Sequence, residues 1–124
     1  MLIRTGPKNR ENFWLWFTKI AAGFLIIFLL GIHLIVNHLI VPGGLLSYRQ
    51  VLAYYQIPFI PIMEVFFLII VFTHSFIGVR SIILDLNPSK RVLSIVDVAL
   101  VSVAFIFIVY GTWLVIVVYQ LGRL

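Results

Sequence analysis

Two histidines lie deep inside long apolar stretches: His33 in Leu30-Gly31-Ile32-His33-Leu34-Ile35-Val36-Asn37-His38, and His74 in Val71-Phe72-Thr73-His74-Ser75-Phe76-Ile77-Gly78. Ionisable side chains are rare at such depth and are functional by default. A neutral imidazole is also the commonest side-chain metal ligand. The 124 residues contain no cysteine, which excludes a thiolate zinc site, an iron–sulfur cluster on this chain and a disulfide framework. The combination points to haem iron held inside a membrane. The residues alone leave two other readings open. The histidines can hydrogen-bond a neighbouring helix, or His33, Glu64 and His74 can relay protons, as in a small proton-coupled transporter or channel subunit. His38 sits nearer the outer interface, where headgroups and water satisfy it, and is the alternative ligand.

The elements that must position these side chains follow from composition. With 63% hydrophobic and 10% charged residues, the expected solvent is lipid. Hydrophobic spans run over 13–41, 58–84 and 92–121, each longer than the roughly 20 residues needed to cross hydrocarbon as a helix. Three strands cannot close a barrel, so helix is the only conformation that pairs every backbone group. The reading is an all-α membrane protein with three transmembrane helices in a single domain, 1–124. Pro42 with Gly43 and Gly44 ends the first span, Pro58 and Pro61 open the second, and Asn87-Pro88-Ser89 separates the second from the third. Ser94-Ile95-Val96-Asp97 offers a capping box for the third helix unless helix begins earlier. The first span is too long for a secretory signal, and no small-residue cleavage site follows it.

The net charge of +5 reads as the basic bias of cytoplasmic loops, not as a nucleic-acid surface. Arg4, Lys8, Arg10 and Lys19 lie at the amino-terminal side, with Arg80, Lys90 and Arg91 around the second loop. Arg49 and Arg123 are the opposing cations. The amino terminus is therefore expected in the cytoplasm. Trp14, Trp16, Tyr54, Tyr55, Trp113 and Tyr119 fall near span ends as interfacial anchors.

Helix rise places His33 about 12 Å from Val41 and His74 about 16 Å from Asp85, an offset in depth of about 5–10 Å. Lys19, Ala22 and Asn37 share the His33 face; Gly78, Ser81 and Asp85 share the His74 face. Gly78 suits either the approach of a flat porphyrin or close helix packing. A ligating histidine also needs an acceptor for its second ring nitrogen. The Ile70 carbonyl is the local candidate for His74.

These residues carry a resemblance. Thr73-His74-Ser75-Phe76-Ile77-Gly78-Val79-Arg80-Ser81-Ile82-Ile83-Leu84-Asp85 resembles the second helix of the membrane-anchor subunits of succinate dehydrogenase and fumarate reductase. There, glycine follows the histidine by four residues and aspartate by eleven. Gly31-Ile32-His33-Leu34-Ile35-Val36-Asn37-His38 resembles the first helix of the di-haem cytochrome b anchors of that family. Pro58-Phe59 with Glu64-Val65-Phe66-Phe67 is similar to their second-helix opening, and Ile108-Val109-Tyr110-Gly111 to the last helix of the small anchor.

The resemblance implies that His74 is an axial ligand of a proximal haem b and His33 of a distal one. The opposing ligands would come from a second anchor subunit, so that this chain is half of a heterodimeric haem-binding helix bundle. It implies Asp85 and Ser81 as quinone-site candidates, with Leu86 where small anchors often carry tyrosine. Glu64 would be an outer acidic residue near the distal haem, a candidate for proton exchange with quinol. Lys19 and Arg80 would be partners for haem propionates. It further implies flavoprotein and iron–sulfur subunits as partners, a multi-pass place in the cell membrane, and a role as anchor and electron conduit. A variant in which His33 and His74 bind one iron together is open at this point.

Overall fold

The computed structural model describes residues 11–124. Arg4, Lys8 and Arg10, which enter the orientation argument, lie outside the described residues. Helix α1 spans Phe13–Leu34. Asn12 caps it by accepting from the Trp14 amide at 3.0 Å, which satisfies an otherwise orphaned N–H. The helix continues as a π-helical turn over Ile35–Leu39, so the first apolar rod runs Phe13–Leu39. Gly43 and Gly44, both at positive φ, turn the chain, and the His38 Nδ1–H closes this loop on the Gly44 carbonyl at 2.7 Å.

A short helix follows, α2 (Tyr48–Tyr54), which sequence reading did not anticipate. Ser47 and Gln50 form a reciprocal capping box at its start. Helix α3 covers Phe59–Asp85. Leu86 and Asn87 close it with bonds to the Ile83 and Leu84 carbonyls; Asn87 adopts the left-handed conformation and Pro88 prevents continuation. Helix α4 runs Lys90–Leu121 with Ser89 as its cap. The Ser94–Asp97 box is therefore not used. Helix has begun a turn earlier, and Asp97 is drawn instead to a cation on α3.

Helices α1, α3 and α4 are all long and apolar enough to cross a membrane. Their order in space is a row. Helix α3 packs against α1 on one flank and α4 on the other, and α1 and α4 share no comparable packing. Gly111 lets α4 come close to Leu68 of α3. The described residues buried within the chain are Ala22, Ile60, Met63, Ile70 and Leu84; α4 buries none. Large apolar side chains such as Phe24, Phe28, Phe105 and Ile106 are more than 60% exposed, as lipid or another polypeptide requires.

Candidate functional site

His74 projects from the middle of α3 toward α1. Its Nδ1–H donates to the Lys19 carbonyl at 2.9 Å. A carbonyl only accepts, so Nδ1 carries the proton and Nε2 keeps its lone pair. The acceptor is thus not the Ile70 carbonyl of the histidine's own helix. The ring reaches across to α1, where Gly23 lets it approach: a Cβ at Gly23 would lie 3.1 Å from His74 Cε1. The same glycine lines an open groove of about 250 Å³ with Lys19, Ile20, Phe24, Ile27 and His74. Gly23 was not singled out from sequence. Its signal is a glycine four residues beyond Lys19, in register to bare that carbonyl. Gly78, one turn from His74, has no atom of another helix within 4 Å of where its Cβ would be. Among the described residues it leaves a gap and serves no contact with another helix.

Near the amino-terminal end of α1, the Lys19 ammonium donates to Glu11 Oε2 at 2.9 Å and to Ser81 Oγ at 2.7 Å. The Ser81 hydroxyl donates to the other Glu11 oxygen. Burial raises the Glu11 carboxyl pKa, but hydrogen bonds from Ser81 and Lys19 and the charges of Lys19 and Arg80 outweigh it and hold the group below its ordinary value. Arg80 grips Asp97 of α4 through both carboxylate oxygens, at 2.6 and 3.2 Å. Lys19 and Arg80 are thus paired with protein anions. Each retains further N–H donors. Asp85 is exposed at the last position of α3, with neither hydrogen bond nor ion pair among the described residues.

His33 forms a second level. Its Nδ1 lies 3.2 Å from Glu64 Oε1 of α3, and its ring tilts against Phe67, with centroids 5.6 Å apart. Asn37 Nδ2 is also 3.2 Å from Nδ1. That amide also donates to the His33 carbonyl at 2.9 Å; a carboxylate can only accept, so Nδ1 supplies the proton of the Glu64 contact. The tautomer with Nδ1–H directed at Glu64 follows, again leaving Nε2 free. Tyr54 of α2 brings a buried hydroxyl, without a hydrogen-bond partner of good geometry among the described residues, into the neighbourhood of Glu64 and Asn37. Burial and the negative charge of Glu64 push the neighbouring Tyr55 up to about 12. Neither tyrosine was assigned to the site from sequence; the signal was their place just before the proline-marked start of α3. His38 is exposed and engaged with the loop.

Glu64 and His74 are ten residues apart on one helix, which separates the levels by about 15 Å. This exceeds the offset anticipated from span ends. Helix α3 overshoots α1 by about a turn, because Ser81, not Asp85, is level with Glu11 and Lys19. With metal–imidazole bonds about 2 Å long, one iron cannot take both rings. The intervening faces are apolar apart from Thr73, and among the described residues no hydrogen bond connects the two levels, which disfavours a relay. No three His, Cys, Asp or Glu side chains among the described residues gather as a metal-ion site. An iron already held by a porphyrin takes a single axial nitrogen per side. The unprotonated Nε2 of each ring fits that arrangement; at the His74 level the backbone is also bare at Gly78, one turn along α3.

Residues 5–111 match the family described as the succinate dehydrogenase/fumarate reductase transmembrane subunit. The chain is also similar to the succinate dehydrogenase hydrophobic membrane anchor subunit of Thermoplasma acidophilum, at 26% identity over 116 residues, covering 94% of this chain and 89% of that protein. No solved structure matches it.

Proposed function

Because the chain belongs to the succinate dehydrogenase/fumarate reductase transmembrane subunit family, we propose that it is the haem b-binding anchor of a succinate:quinone oxidoreductase. The observation that carries this reading is the pair of imidazoles at two depths, each with Nδ1 spent on an acceptor and Nε2 free. His74 would hold a proximal haem b and His33 a distal one, with a second anchor subunit completing both sites.

When bound, haem b would supply one-electron transfer. The chain's residues do the rest. The Lys19 carbonyl and Glu64 fix the ring tautomers. Gly23 admits the His74 ring, and Gly78 leaves the backbone one turn along α3 bare. Lys19 and Arg80 offer their remaining N–H donors to propionates. Asp85 and Ser81, on the His74 face, take quinone near the basic end, and Glu64 exchanges protons at the other. Lys19, Arg80, Lys90 and Arg91 gather at one end, which is accordingly cytoplasmic in the cell membrane, and there the iron–sulfur and flavoprotein subunits dock.

Pyridine-haemochrome quantification on the intact complex, repeated after separate His33→Ala and His74→Ala changes, tests the proposal. Each change is expected to remove or perturb a different haem. Unaltered haem content and spectrum in both variants would overturn it.

A further inference from the structure

The two imidazoles donate to acceptors of different charge. His74 gives its Nδ1–H to a neutral peptide carbonyl, His33 to a carboxylate. Glu64 stands on the second turn of α3, 14% exposed, and among the described residues no Lys or Arg pairs with it. Its polar surroundings are His33, Asn37, Tyr54 and Tyr55, and a tyrosine phenol is neutral at physiological pH. The carboxylate's charge is therefore directed at one ring.

We propose that Glu64 is a positioning residue that acts through His33, strengthening this imidazole as an iron donor and so lowering the reduction potential of the haem it ligates, while His74 remains an ordinary imidazole. The inference rests on His33 being an axial ligand, as proposed above. A carboxylate accepting the second ring N–H shifts electron density toward Nε2 and raises ligand basicity. A more basic ligand favours ferric over ferrous iron, and an anion fixed behind the ring acts in the same direction. Hydrogen bonding and burial around the ligands are the levers that set such potentials. The neutral Lys19 carbonyl polarises its partner less, since charge-assisted hydrogen bonds are about twice as strong as neutral ones.

Glu64→Gln separates tuning from mere orientation. The amide oxygen still accepts from Nδ1, and only the charge is removed. In spectroelectrochemical titration of the intact complex, haem content should be unchanged. The component identified by its loss in His33→Ala should titrate at least 59 mV higher, a tenfold change in the ferric-to-ferrous binding ratio for one electron. The His74 component should not move, and Glu64→Asp should restore much of the wild-type potential. Equal potentials in wild type and Glu64→Gln, an equal shift of both components, or loss of the outer haem from Glu64→Gln would overturn the tuning role while leaving the haem assignment standing. Absence of haem from the wild-type complex would instead sink the functional reading with it. If Glu64→Gln does not assemble, the wild type decides. The low-spin ferric resonance lost in His33→Ala must show a stronger axial ligand field than the one lost in His74→Ala, and equal fields refute the proposal.

Discussion

Gly23→Val is the sharpest probe of the inner level, because it attacks the His74 orientation without replacing the histidine. A Cβ at this position falls 3.1 Å from His74 Cε1 and 3.5 Å from Nδ1, while carbon atoms at rest sit about 3.5–4.0 Å apart. A single methyl moves the ring by a few tenths of an ångström and stretches the 2.9 Å bond to the Lys19 carbonyl to about 3.3 Å, the edge of useful geometry. Gly23→Ala also gains about 1 kcal/mol of helix propensity, so its net effect on folding is near zero. Valine adds two γ-carbons on the same side and removes the bond. Loss of an outer hydrogen bond to a metal ligand costs about 10–100-fold in affinity, or about 1.4–2.7 kcal/mol. Competitive transfer of haem from the purified complex to excess apomyoglobin measures this directly. The inner haem should leave 10–100 times more readily in Gly23→Val, with the outer haem as internal control. Retention equal to wild type would refute both the Nδ1–carbonyl orientation and its role in holding iron.

Gly78→Val meets no atom of another helix in this chain within 4 Å, so it should leave helix content by circular dichroism unchanged yet lower haem content if a porphyrin lies against that backbone. Arg80→Ala breaks the two-pronged grip on Asp97; because Asp97 is 39% exposed, the loss should be only about 1 kcal/mol, seen as a small fall in Tm, and the proposed propionate contact adds a perturbed inner haem to the expected outcome. The lowered Glu11 pKa makes its contribution to stability fully present above the ordinary value of 4.5 and lost as pH falls through the lower folded-state value. Thermal unfolding in detergent should therefore lose stability on that acid limb in wild type, and less so in Glu11→Gln. Gln56→Ala removes the side-chain bonds to the Leu52 and Tyr119 carbonyls and should cost about 1 kcal/mol, with faster amide exchange around α2.

The three long helices were legible because length and apolarity alone decide them in lipid. Prolines and glycines marked their ends to within a few residues. The Asn37–His33 contact was legible too, being set by the pitch of one helix. What sequence did not disclose is how each helix is rotated and shifted against its neighbour. Lipid-facing and partner-facing surfaces are equally apolar, so no polar stripe reveals the buried side. The contacts Glu11–Ser81, Arg80–Asp97 and His74–Lys19 all depend on that rotation. The depth offset went astray for the same reason, since α3 overshoots α1. Helix α2 is short, interfacial and capped by Ser47 and Gln50, with too little hydrophobic length to stand out beside three long spans.

The row of helices has a consequence for biogenesis. A chain whose described residues bury so few of its own side chains gains little from folding alone once it is inserted. In the proposed assembly, an orphan copy would leave the polar ring nitrogens of His33 and His74 without the groups they are proposed to hold. Such a subunit is a natural target for membrane quality control, and its abundance in the cell should follow that of its companions more closely than its own rate of synthesis.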